Sequence, residues 1–122
     1  MIQKVGYFEN VAIYESPFFK KGHGLTLPQL GIITYPGAFS NKLAIPLIRH
    51  EFGHILQNRK YGALKFYLKV GLPSLYSAMK ASWIKSYHHQ RHPVELEANF
   101  LAFHYFKQPV DWDYKNFPLA KL

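Results

Sequence analysis

The chain has 122 residues, of which 48% are hydrophobic and 17% aromatic, and its formal charge is +8. One domain over residues 1–122 is expected, with enough apolar material for a core of its own, and a disordered chain is excluded. There is no cysteine, which removes disulfides, thiolate metal sites and a cysteine nucleophile, and fits a reducing compartment, although a periplasmic protein can also lack cysteine.

Residues 1–39 read as short strands and turns. Val11-Ala12-Ile13-Tyr14 and Gly31-Ile32-Ile33-Thr34-Tyr35 are β-branched and aromatic runs, and Gly22, Gly24, Pro28, Pro36 and Gly37 punctuate the stretch. From Ser40 the pattern becomes helical. Pro46 suits the first turn of a helix, where its missing N–H costs nothing, and Gly62 supplies a stop after Tyr61. The apolar face of that helix is Ile45, Ile48, Phe52, Ile55 and Leu56. A break is expected at Gly71-Leu72-Pro73, with Ser74 as N-cap of a second helix running to about Ser86. Residues 87–92 form a polar connector. Pro93 then opens a third helix to about Phe106, and the aromatic tail from Trp112 to Phe117 packs back on the body. Strands first and helices after argue for an α+β fold.

The chemistry concentrates in His50-Glu51-Phe52-Gly53-His54. Residues four apart share a helical face, so both imidazoles can reach one ion. Glu51 lies about 100° round the helix, near enough to touch a water on the metal without ligating it. The histidines fall nearly opposite the Ile48/Phe52/Ile55 face, so one side of the helix can bury while the other lines a cleft. Catalytic zinc takes three protein ligands and keeps a position for water, so a third ligand is required. Glu95, Glu97, His88, His89, His92 and His104 are the candidates downstream. On the third helix Glu95 shares a face with Ala98, Asn99 and Ala102, whose small alanines permit a close approach to the metal helix. Glu97 points roughly 160° away, toward solvent or another surface. His88, His89 and His92 could form a second metal site, bind substrate, or simply be a polar connector near the cleft. His23 reads as a loop residue, and His104 as part of an amphipathic surface.

His-Glu-x-x-His followed by Glu95-Leu96-Glu97-Ala98-Asn99 resembles the gluzincin metallopeptidases, whose third zinc ligand is a Glu on a later helix. The stretches His50 to Gln57 and Gly71 to Leu75 also look like small zinc-binding proteins with that minimal helix pair. The resemblance covers about Ile45 to Phe106 and implies a zincin-like minimal domain, with the His-Glu-x-x-His helix packed on a Glu-bearing helix. It makes His50, His54 and Glu95 the ligands of a Zn2+ ion. It makes Glu51 the general base of a zinc metalloendopeptidase that cleaves peptide bonds with a metal-activated water. Asn99 stands where many relatives have Asp; it can orient a ligand imidazole through the other ring nitrogen, but lacks the charge. The oxyanion-stabilising residue is open among His88, His89, His92, His104 and Tyr105. The implied partner is a peptide or protein substrate, and the strand order offers Gly31 to Tyr35, just before the metal helix, to hold it by main-chain pairing. A zinc-binding scaffold without catalysis is the alternative.

The basic residues are scattered, with no helix-turn-helix or RNA-binding signature, so nucleic acid is not favoured as a partner. An anionic membrane surface is compatible with the charge. Tyr61 to Trp83 is the most apolar stretch, but Lys65, Lys69 and Lys80 interrupt it short of the roughly 18 apolar residues a span needs. An ordinary core helix plus connector is the simpler expectation. The alternative lays the stretch on a membrane, with Phe66, Tyr67, Leu72, Leu75 and Tyr76 in the boundary. The first nine residues carry neither an apolar run nor a small-residue cleavage site. A cytoplasmic location is therefore expected, with a membrane-peripheral one as the alternative.

Overall fold

The computed structural model describes residues 1–119 and has an α+β architecture: a four-stranded N-terminal sheet followed by helices. The strands are β1 (Gln3–Phe8), β2 (Val11–Glu15), β3 (Gly24–Leu27) and β4 (Gly31–Thr34), in the spatial order β1-β2-β4-β3. β1 and β2 form an antiparallel hairpin. Its two-residue turn, Glu9-Asn10, has positive φ at both positions, the backbone that matches the twist of the flanking strands. β4 runs parallel to β2 and antiparallel to β3. All four residues of β4 are buried, as expected of an interior strand.

This order corrects one expectation. With β2 on one side and β3 on the other, the main chain of Gly31 to Thr34 is already paired and cannot accept a peptide. The edge beside the helices is β3.

A single 3-10 turn, Lys42–Ala44, leads into α1 (Ile45–Tyr61), with Pro46 in the first turn and Gly62, at φ +85°, ending it. Ile48, Phe52 and Ile55 face Ile13 and Ile32 of the sheet and form the main core. Phe52 is fully buried, and the rings of Phe8, Tyr105 and Phe106 surround it.

After Gly62 the chain enters α2 (Ala63–Phe66), passes through a π-helical segment, Tyr67–Gly71, and continues as α3 (Leu72–Trp83). The expected break at Gly71-Leu72-Pro73 is therefore absent, and Ser74 lies inside the helix instead of capping it. The π segment gives the physical reason. Leu72 N–H bonds the carbonyl of Tyr67, five residues back. The widened turn admits the Pro73 ring without breaking the rod.

A short turn, His89–Arg91, precedes α4 (Pro93–Tyr105), where the His92 ring accepts from Val94 N–H as N-cap. The tail packs back as expected. Trp112 is buried against Phe103, and its indole N–H donates to Phe117 O. Arg49 pairs with Asp111 at 3.0 Å.

Candidate metal centre

α1 and α4 pack closely, and one residue sets how closely. A Cβ added to Gly53 would lie 2.1 Å from the carbonyl oxygen of Ala98. Backbone meets backbone here, with Gly53 on one helix facing the fully buried Ala98 on the other. Ala98 needs this glycine as its counterpart. Glu95 stands one turn before Ala98 on the same face, so the approach at Gly53 delivers its carboxylate to the histidines. Gly53→Ala must push α4 away. We expect metal affinity to fall at least about a hundredfold and stability to drop by about 1–3 kcal/mol, though every candidate ligand remains. Calorimetric zinc titration and thermal unfolding check this.

The delivered geometry is tight. Among the described residues, His50, His54 and Glu95 are the one group placed to share an ion, their donor atoms all within 4.8 Å of one another. Glu95 Oε1 lies 2.9 Å from His50 Nε2 and 3.2 Å from His54 Nε2. Donors about 2.1 Å from a tetrahedral ion sit roughly 3.4 Å apart, so both distances from the carboxylate oxygen are close to those that shared ligation needs. All three residues are buried.

The far side of each ring is fixed as well. His50 Nδ1 is 2.5 Å from Asn99 Oδ1, and His54 Nδ1 is 2.7 Å from Gln57 Oε1. Both amides are locked in orientation by their nitrogens. Asn99 Nδ2 donates to Pro118 O at 2.8 Å, and Gln57 Nε2 donates to Val94 O and to Glu97 Oε1, each at 2.9 Å. A carbonyl or carboxylate can only accept, so each amide must turn its oxygen to the imidazole. Each Nδ1 is therefore an N–H donor, and each ring, when neutral, presents an Nε2 lone pair to the centre. This is the orientation a metal ligand requires. The donor set fits a metal ion.

Glu95 Oε2 accepts from Ser74 Oγ at 2.5 Å, which leaves Oε1 for the ion. Glu97 turns away from the centre and packs on the C-terminal end of α1 rather than pointing to open solvent. There it accepts from Gln57, Lys60 and Tyr61.

Charge follows from this packing. Burial opposes a charged ring at His54, but the Glu95 carboxylate facing it, aided by Glu51 and the Gln57 hydrogen bond, raises it from 6.5 to about 9. Burial likewise opposes a charged Glu95, but the His54 and His50 rings hold it well below 4.5. Without an ion, a proton on His54 supplies the positive charge between the two rings and the carboxylate.

The centre opens on a cleft of about 950 Å³, walled by β3, α1, α3 and the tail. Glu51 stands on its wall. Its Oε1 accepts from Thr26 Oγ at 2.7 Å, and Oε2 lies beside Gly24, where a Cβ would sit 3.4 Å away. The three connector histidines separate. His89 lines the cleft, with Nε2 3.6 Å from Glu95 Oε1 and Nδ1 2.8 Å from Ser77 Oγ, which also bonds Tyr87. His92 caps α4 and His88 is exposed. No second metal cluster forms there among the described residues. His23 is an exposed loop residue at the cleft, and His104 is exposed against Phe100.

Sequence reasoning gave no role at the centre to Gln57, Ser74, Thr26 or Gly53. Gln57 alone carried a local signal, since an amide three residues after a ligand histidine lies on the same helical face. The others act across elements distant in sequence.

Comparison with protein-family models, with curated proteins and with solved structures returned no match.

Proposed function

We propose that the chain is a zinc-dependent peptidase of the gluzincin kind, with His50, His54 and Glu95 holding the ion and Glu51 serving as general base. One observation carries this reading: two imidazoles pinned at Nδ1 by locked amides, both Nε2 atoms converging on Glu95, with the Glu51 carboxylate, held through one oxygen by Thr26, on the wall of the same cleft. A structural site has no need of such a glutamate or of a cleft. Two imidazoles and a carboxylate are a donor set that catalytic zinc sites use.

Zinc bound there supplies a Lewis acid for the scissile carbonyl and for water. The protein does the rest. Thr26 fixes Glu51 through Oε1, so Oε2 takes the water proton and returns it to the leaving amine. Ser77 orients His89, and the His89 Nε2–H donates into the cleft toward the developing oxyanion. β3, an edge strand on the cleft wall, offers main-chain groups to an extended peptide, the role that interior β4 cannot fill.

Glu51→Gln tests the assignment, because the amide keeps the shape but cannot take a proton. The expected result is turnover of a quenched peptide library reduced about a hundredfold or more, with bound zinc and unfolding temperature unchanged. A variant as active as the wild type, or a zinc-loaded wild type that cleaves nothing in the library, would favour a zinc-binding scaffold instead.

A further inference from the structure

The rod formed by α2, the π segment and α3 has two faces of different character. Phe66, Val70 and Ser77 are buried against the body. The other face is apolar and uncovered. Leu64, Leu68, Leu72, Leu75, Met79 and Trp83 follow one another at intervals of three or four residues, the spacing of a single stripe. Leu64 is 74% exposed and Trp83 70%, with Tyr76 beside them at 64%. Among the described residues nothing covers this stripe. A water-facing helix with such a continuous apolar face marks an interaction surface.

Charge identifies the occupant. Between Glu51 and Glu95 the sequence has no acidic residue, and Lys65, Lys69, Lys80 and Lys85 accompany the stripe. A second copy of the chain would set these lysines against one another. A surface both apolar and anionic satisfies leucines and lysines together, and Trp and Tyr favour the boundary between headgroups and acyl chains. No helix among the described residues is long and apolar enough to cross a membrane. A bilayer would therefore meet the rod along its side.

We propose that the outer face of Ala63 to Trp83 docks on an anionic lipid bilayer. The simpler expectation of a plain core helix fails for this face. The membrane-facing set differs from the sequence-based one: Phe66 points inward, Tyr67 is half-buried and bonds Gln29, and Leu64, Leu68, Met79 and Trp83 join Leu72, Leu75 and Tyr76. Leu75 belongs to both the stripe and the cleft wall, so docking brings the cleft to the membrane surface. The inference stands independently of the metal and of peptidase activity.

Vesicle flotation of the full chain tests it, with phosphatidylcholine alone or mixed with phosphatidylglycerol, at low salt. The expected result is partitioning at least about tenfold stronger on the anionic vesicles. Leu68→Glu/Leu72→Glu should abolish binding, and Lys65→Glu/Lys69→Glu should remove the anionic preference, with unfolding temperatures unchanged because these side chains are exposed. If the leucine pair does not fold, emission of the wild-type chain decides. Trp112 is buried, so a blue shift on adding anionic vesicles reports Trp83. No flotation, no blue shift, or equal partitioning into neutral vesicles overturns the proposal. So does a wild-type dimer in sedimentation that the glutamate variant dissociates, which would give the stripe to a second copy.

Discussion

Elemental analysis of the purified wild type is expected to give about one zinc per chain, Glu95→Ala none, and Glu97→Ala the wild-type value. The two glutamates lie two residues apart on one helix, and their environments are opposite. Glu95 is buried, with one oxygen shared by two imidazoles and the other held by Ser74. Losing it removes a charged ligand and leaves two Nε2 atoms facing an empty volume, so affinity should fall by several orders of magnitude. Glu97 binds Lys60, Tyr61 and Gln57 near the surface. Without it, Gln57 still donates to Val94 O, so its oxygen stays turned to His54 and the site survives. A Glu97→Ala protein without zinc, or a Glu95→Ala protein that retains it, would overturn the ligand assignment.

Metal and protons compete at this centre, and the pH dependence has a definite sign. The His54 ring is held at about 9 in the metal-free fold against an ordinary 6.5. A raised value means the folded state keeps a proton that the unfolded chain gives up. The resulting stabilisation is complete below about pH 6.5 and disappears as pH rises through about 9. It amounts to at most on the order of 3 kcal/mol. Glu95 works in the opposite sense, stabilising the fold above its ordinary 4.5 and losing that contribution only well into acid. The metal-free protein should therefore melt at progressively lower temperature between pH 6.5 and 9. Zinc requires the deprotonated ring, so its affinity should rise over the same interval by about tenfold per pH unit, with about one proton released on binding. Calorimetry in buffers of different ionisation enthalpy measures that proton directly. A flat affinity profile would show that His54 is already neutral in the metal-free fold.

The sequence by itself determined the parts whose signal is local and periodic. His50, Glu51 and His54 could be placed because a four-residue spacing on a helix has one geometric meaning. Glu95 was separated from Glu97 because its face carries Ala98, Asn99 and Ala102, and the structure brings that face to α1. The order of strands and helices was legible for the same reason, since periodicity of two or of 3.6 belongs to each segment alone. Asn99 reached its place by resemblance, and only the Pro118 carbonyl, from the far end of the chain, explains why its oxygen faces His50.

Tertiary structure decided what depends on partners distant in sequence. Strand order is not written in any one strand, so the interior position of β4 and the edge position of β3 emerged only from pairing. Pro73 signals a break locally, but a π-helical turn upstream absorbs it and carries Ser74 inside the helix, within reach of Glu95. Gly53 is ordinary until α4 lies against it. The leucine stripe carries the same hydrophobic letters as a core helix, and whether those letters meet protein or water is settled only when every other element has taken its place.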